Sequence, residues 1–223
     1  MPAPSLTFLH TSPVHVPTFG ALLTELAPEI PVRHIVEEAL LDRARAEDVA
    51  AVSGRLRELI SELEGQAAVL VCTCSTIGNA AEALSGDHLP VIRIDRKVAE
   101  AAVRAGQTGA VLVLAALDAT LEPTRALIQN AAQELNRPAS IQTRLCKGAW
   151  TLFESGDLSG YITHITAELD NLPEPLPAVV VLAQASMAPA ATQTRLSVPV
   201  LSSPRLGTQA AVGLYRARVA PPT

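Results

Sequence analysis

The chain has 223 residues, of which 48% are hydrophobic, 17% are charged and 3% are aromatic, and its formal net charge is −5. So low a charged fraction excludes a disordered chain. The acidic balance argues against a nucleic-acid surface, and no apolar run approaches the ~20 residues that a membrane-spanning helix needs. The composition therefore predicts a globular protein with a sizeable core, with neither nucleic acid nor a membrane as its partner.

The three cysteines are odd in number and are not spaced as a disulfide framework. The N-terminal segment has no Lys or Arg before Arg33 and therefore lacks the charged start of a secretory signal. Together these features predict a reducing, cytoplasmic location with free thiols.

Short β-rich segments alternate with segments rich in Ala, Leu and Glu along the whole chain. Strands are predicted at residues 6–10, 32–36, 68–72, 91–94, 110–115, 140–146, 179–182 and 198–201. Helices are predicted at residues 18–26, 42–63, 76–84, 121–135, 158–169 and 204–218, with a shorter one near Met187. This alternation, with strands that are apolar on both faces, predicts an α/β fold whose parallel sheets are covered by helices.

Residues 67–84 and 178–194 share one pattern, a strand followed by a small polar turn and an Ala-rich helix. The repetition predicts two pseudo-symmetric, three-layer α/β/α domains with a cleft between them. The first domain is expected to comprise residues 1–94 and 205–223, and the second residues 95–204. Arg93, Asp95 and Arg96, near this boundary, are expected to form a solvated or hinge salt bridge.

Small hydroxyl residues follow several predicted strands, which is where parallel α/β folds bind ligands. They are Thr11, Ser12, Ser75, Thr76, Thr120 and Ser186. Their hydroxyls, together with helix N-termini, suit a carboxylate, although each residue is equally suited to capping a helix. The sequence has no glycine-rich phosphate loop, so no dinucleotide or nucleoside-triphosphate site is predicted. Cys72 and Cys74 are spaced CxC rather than CxxC, so no metal site is predicted either.

Cys74 is the leading candidate for chemistry because it lies directly after a predicted strand and before a predicted helix. A helix N-terminus favours the thiolate form of a nearby cysteine, which can act as a base or as a nucleophile. The alternative is a small buried core residue, and that is what we expect of Cys72 and Cys146.

His10 and His15 flank the first hydroxyl cluster and are candidate acid or base groups. A structural histidine is the alternative for each of them. His34, His88 and His164 are assigned no role.

Five segments resemble the aspartate/glutamate/hydantoin racemase superfamily, which also contains arylmalonate decarboxylase and maleate isomerase. They are FLHTSPVHVPTF, VLVCTCSTIGNAAE, PVIRIDRKVAEAAV, GAVLVLAALDATLEPTR and VVVLAQASMA. The resemblance implies two pseudo-symmetric α/β domains with the substrate between them, and no metal or pyridoxal phosphate. It also implies two cysteines, one per domain, that act on opposite faces of the substrate α-carbon.

Cys74 matches the first of these cysteines, and Ser75 and Thr76 match the Asn-Thr that usually follows it. The second cysteine is replaced by Gln184, which is followed by Ala185 and Ser186. An amide cannot take up a proton near neutral pH, although it donates and accepts hydrogen bonds. The resemblance therefore implies chemistry that relies on one thiol, with Cys74 and Gln184 as the catalytic pair.

These observations predict a cofactor-independent enzyme that acts at the α-carbon of a small carboxylate or amino acid. Racemisation, isomerisation and decarboxylation all stay open. One alternative is a catalytically inactive carboxylate-binding or regulatory protein with the same fold. The other is a structural or assembly role, for which a homodimer is the expected form.

Overall fold

The computed structural model describes residues 3–220 of the chain. Its strands are β1 (Ser5–His10), β2 (Val32–Val36), β3 (Ala67–Cys72), β4 (Val91–Arg93), β5 (Val111–Ala115), β6 (Ile141–Leu145), β7 (Val179–Leu182) and β8 (Val200–Leu201). Its α-helices are α1 (His15–Leu26), α2 (Glu38–Ala46), α3 (Ser53–Leu63), α4 (Gly78–Glu82), α5 (Arg96–Ala105), α6 (Leu121–Glu134), α7 (Ala149–Glu154), α8 (Leu158–Asp170), α9 (Ala190–Gln193) and α10 (Ser203–Val219).

The described residues form two compact units. One unit contains the residues up to Ile94 and those from Pro204 onward, and the other contains Asp95–Ser203. Each unit holds one four-stranded sheet, in the orders β2-β1-β3-β4 and β6-β5-β7-β8, and every pairing is parallel. The two sheets thus share one strand order, and the predicted α/β class with parallel sheets is confirmed.

The central strands of each sheet are buried because helices cover both faces, as expected for parallel sheets. Strands β3, β5 and β7 are buried along their whole length, in keeping with their runs of Val, Leu and Ala. In the first unit Leu9 pairs with Cys72 across β1 and β3. The residues that follow these two strands therefore meet at one edge of the sheet.

Helix α10 completes the first unit. The Tyr215 hydroxyl donates to the carbonyl oxygen of Pro4 at 2.9 Å, and Arg205 forms an ion pair with Glu25 at 2.7 Å. Gly207 is required at its position because a Cβ there would collide with the carbonyl oxygen of Ile94. Helix α10 therefore packs closely against the residue that follows β4.

The structure corrects several sequence predictions. The single helix predicted at residues 42–63 is wrong: Asp48 interrupts it, and its carboxylate accepts a hydrogen bond from the Ala51 N–H at the start of a 3-10 turn. The helix predicted after Cys74 has only five residues, Gly78–Glu82. Helix α5 begins inside the charged segment that we expected to be solvated, where Arg93 and Asp95 are in fact buried.

No helix within residues 3–220 combines the length and the apolar character needed to cross a membrane.

Candidate functional site

Cys74 lies just beyond the end of β3 and is the partly exposed cysteine of the described chain. Cys72 and Cys146 are buried, as their positions in the sequence predict. Burial raises the pKa of Cys146 to about 11, so its thiolate is disfavoured. Of the three thiols, Cys74 is therefore the one that combines accessibility with a strand-end position.

The turn after Cys74 holds a buried polar atom without a partner. Ser75 and Thr76 are both buried, and the Thr76 hydroxyl has no hydrogen-bond partner among the described residues. Leaving such a group unsatisfied costs about 1–3 kcal/mol, so it calls for an explanation. A ligand oxygen or nitrogen bound beside Cys74 would satisfy it.

Arg93 forms hydrogen bonds with the turn that follows Cys74. Its side chain is buried, and its guanidinium donates to the carbonyl oxygen of Ser75 at 3.5 Å and to the side-chain oxygen of Asn79. Gly78 allows this approach, since a Cβ there would lie 2.8 Å from the Arg93 Nε atom. Arg93 and Gly78 therefore fix the backbone that carries Cys74.

His10 ends β1 and is completely buried. The hydroxyl of Thr73 donates its single hydrogen to the carbonyl oxygen of Leu9 at 3.0 Å, so it accepts from His10 Nδ1 at 2.9 Å. His10 Nε2 then accepts from His34 Nδ1 at 2.9 Å. Burial, with smaller effects from the neighbouring histidines, lowers the His10 pKa to about 3, so the ring is neutral near pH 7.

The remaining candidates in the first unit lie in the turn after β1. Thr11 is buried and Ser12 is half-buried. His15 begins α1, and burial lowers its pKa to about 4. Both ring nitrogens of His10 already have protein partners. The ring of His15 is therefore the more available of the two for contact with a ligand.

Gln184 lies just beyond the end of β7 in the second unit, and its side chain has a defined orientation. The residue is only 8% exposed. Its side-chain oxygen accepts a hydrogen bond from the Ala116 N–H at 2.9 Å, which identifies the other amide atom as the nitrogen. That nitrogen, Nε2, is buried and has no partner among the described residues. The strand end thus carries an unsatisfied hydrogen-bond donor.

Ser186 follows Gln184 by two residues and is half-buried. Its hydroxyl lies 2.9 Å from the hydroxyl of Tyr161, a buried residue of α8. The Thr120 hydroxyl instead donates to the carbonyl oxygen of Leu117 at 2.6 Å, which leaves it able only to accept. Ala185 is buried and can offer a ligand only backbone groups.

The predicted site residues thus fall into two local groups, one in each unit. Three residues with clear structural roles were missed, namely His34, Arg93 and Tyr161. His34 lies opposite Phe8, two residues before His10, and alternate residues of a strand share a face, but this register is visible only in the structure. Arg93 and Tyr161 had no usable signal in the sequence either, since their roles depend on contacts with turns distant in sequence.

No cluster of three or more His, Cys, Asp or Glu side chains in residues 3–220 is arranged to hold a metal ion.

Solved structures of three racemases are similar to the chain over nearly its whole length. Glutamate racemase isoform RacE1 from Bacillus anthracis matches with a TM-score of 0.74 and 18% identity, over 97% of this chain and 83% of its own. Aspartate racemase from Picrophilus torridus matches with a TM-score of 0.68 and 16% identity, over 96% and 94% of the two chains. Allantoin racemase from Pseudomonas fluorescens matches with a TM-score of 0.59 and 16% identity, over 95% and 91%.

No protein-family model matches the chain, and no curated protein does so either. Identities this low establish the architecture rather than the reaction. The chain therefore has the two-domain α/β fold seen in glutamate, aspartate and allantoin racemases.

Proposed function

We propose that the protein is an Asp/Glu racemase-like, cofactor-independent enzyme that moves a proton at the α-carbon of a small carboxylate or amino acid. One observation carries the proposal: a partly exposed thiol, Cys74, two residues before a buried Thr76 hydroxyl that lacks a partner, at a strand end of a racemase fold. Such strand ends are the usual ligand sites of α/β folds.

In the proposed reaction the Cys74 thiolate takes the α-proton and becomes a thiol. The electron pair of the broken C–H bond moves into the carboxylate and gives an enediolate. The thiol then returns a proton to the α-carbon and regenerates the thiolate, so the cycle needs no oxidant or cofactor. Positioned proton transfer of this kind typically contributes about 10²–10⁴-fold to the rate.

The polar residues of the first unit are proposed to bind the substrate carboxylate. Thr76 offers its unpartnered hydroxyl, and Thr11, Ser12 and Ser75 lie in turns at the same edge of the sheet. Hydrogen bonds to a charged oxygen are stronger than those between neutral groups, so a carboxylate is the ligand that gains most here.

Within the second unit, Gln184, Ala185, Ser186 and Thr120 are proposed to contact a bound ligand. As it stands, the Thr120 hydroxyl can only accept, which suits a substrate amino group better than a carboxylate. His15 is the candidate acid or base only if a group besides Cys74 carries the proton, because both ring nitrogens of His10 already have protein partners.

Exchange of the α-proton for deuterium tests the proposal. The protein is incubated in deuterated water with each enantiomer of glutamate and aspartate, and loss of the α-proton signal is followed by proton NMR. Cys74→Ser should reduce exchange at least about 100-fold, because a serine hydroxyl is not a base near neutral pH. Cys146→Ala is the matched control, since it removes a buried thiol and should retain exchange.

Full exchange in Cys74→Ser would contradict the role of the thiol. Thermal stabilisation by carboxylates without any exchange would instead favour the inactive carboxylate-binding alternative.

A further inference from the structure

The end of β7 carries a hydrogen-bond donor whose direction the backbone dictates. The side-chain oxygen of Gln184 is occupied by the Ala116 N–H at 2.9 Å, so the amide cannot flip without losing that bond. Its Nε2 atom is buried and unpartnered although the residue is more than nine-tenths buried. A buried donor in this state needs an acceptor from outside the described chain.

A second donor follows two residues later. Tyr161 is buried, and the Ser186 hydroxyl is the partner of its own hydroxyl at 2.9 Å. If Tyr161 donates, its buried O–H is satisfied and the hydrogen of Ser186 is free to point to a ligand. In the opposite direction the buried O–H of Tyr161 would lose its acceptor, so the first arrangement is favoured.

We propose that Gln184 Nε2 and the Ser186 hydroxyl form a donor pair that binds a carboxylate or enediolate oxygen of the substrate, with Tyr161 as the positioning residue for Ser186. The pair stabilises negative charge and transfers no proton, because neither an amide nor a serine hydroxyl titrates near neutral pH. Binding of a carboxylate at this pair does not depend on the proposed function. The identification of the ligand as an enediolate does rest on the proposed function.

A negatively charged oxygen fits this pair better than a neutral one. Both groups present hydrogens, and the acceptor oxygen of Gln184 already has a backbone partner. Charge-assisted hydrogen bonds are about twice as strong as neutral ones. Donors aimed at an oxygen that gains charge during the reaction also favour the transition state over the ground state.

Nitrogen-15-edited NMR of the side-chain amide of Gln184 tests the proposal directly, with the signal assigned by its loss in Gln184→Glu. The wild-type protein is titrated with malonate, with D- and L-glutamate, and with neutral malonamide. The carboxylates should shift the amide signal, and malonamide should not. Gln184→Glu retains an oxygen for Ala116 but loses the donor, so carboxylate binding should weaken about tenfold or more.

Tyr161→Phe should weaken binding several-fold while the carboxylate still shifts the Gln184 signal, as expected if Tyr161 acts only through Ser186. Two matched variants should bind like the wild type. Gln107→Glu changes an exposed amide of the same unit, and Tyr215→Phe removes the hydroxyl of the chain's other tyrosine.

The proposal is overturned if none of the carboxylates binds, or if they bind without shifting the Gln184 amide. Binding that depends on Gln184, without α-proton exchange, would support the donor pair and contradict the proposed enzyme. Exchange that is unaffected in Gln184→Glu would support the enzyme and overturn the enediolate as the ligand of the donor pair.

Discussion

The Nδ1 atom of His34 lies 2.9 Å from the Nε2 atom of His10, and this contact links the end of β1 to the middle of β2. Because Thr73 accepts from the other nitrogen of His10, the hydrogen bonds run in one direction, from His34 through His10 and Thr73 to the carbonyl oxygen of Leu9. The backbone N–H of Thr73 also donates to Leu9 at 3.0 Å. The residue before Cys74 is therefore held through both its backbone and its side chain.

This direction predicts the tautomer of His10. Nitrogen-15 NMR of the imidazole should show a protonated Nδ1 and an unprotonated Nε2. The same signals should persist as the pH falls to about 4, since burial lowers the His10 pKa to about 3. A protonated Nε2 near pH 7, or titration near the ordinary histidine pKa of about 6.5, would contradict the assignment.

The same histidines predict how stability depends on pH. The folded-state pKa values of His10 and His15, about 3 and about 4, lie below the ordinary value of 6.5. Between these limits the unfolded state binds more protons, so the free energy of unfolding should be greatest above pH 6.5 and decline as the pH falls toward 3. Urea unfolding at a series of pH values measures this slope. His15→Gln should make it shallower, and an unchanged slope would show that His15 does not contribute.

Arg93→Lys should destabilise the protein by about 1–3 kcal/mol and reduce exchange activity. A lysine ammonium cannot replace the planar guanidinium that reaches both Ser75 and Asn79. Arg125→Lys is the matched control, because Arg125 pairs with Glu122 on the exposed surface of α6, where the expected change is about 0–1 kcal/mol. Urea unfolding and the deuterium-exchange assay measure the two effects. Equal stability losses in both variants would show that Arg93 does not hold the turn.

Two glycines of α10 should respond oppositely to alanine. In Gly207→Ala the new methyl group collides with the carbonyl oxygen of Ile94, and the overpacking should cost about 1–3 kcal/mol. Gly213 has open space around it, so Gly213→Ala should stabilise the helix by up to about 1 kcal/mol. Thermal unfolding of the two variants checks the prediction. A stabilised Gly207→Ala protein would mean that α10 does not approach β4 so closely.

The sequence predicts the architecture better than it predicts the contacts that position the candidate site residues. Strands such as β3 and β7 are buried apolar segments, and their boundaries lie within one residue of those that this local pattern predicts. The break in the helix predicted at residues 42–63 also had a local cause, the capping aspartate Asp48. The burial of Arg93 had none, because it depends on where the Ser75 turn lies in space.

The proposed role of Cys74 as the one proton-carrying thiol leads to a prediction about stereochemistry. With one proton-carrying thiol, the wild-type protein should exchange the α-proton of one enantiomer without converting it to the other, because an amide cannot carry the proton. Gln184→Cys supplies a second thiol and should allow interconversion of the enantiomers. Gln184→Ser is the matched control, since serine is similar in size to cysteine but is not a base near neutral pH. Chiral chromatography alongside the NMR assay measures both outcomes. Interconversion by the wild type, or by the serine variant as fast as by the cysteine variant, would show that a second group already carries the proton, and His15 would then be the first residue to substitute.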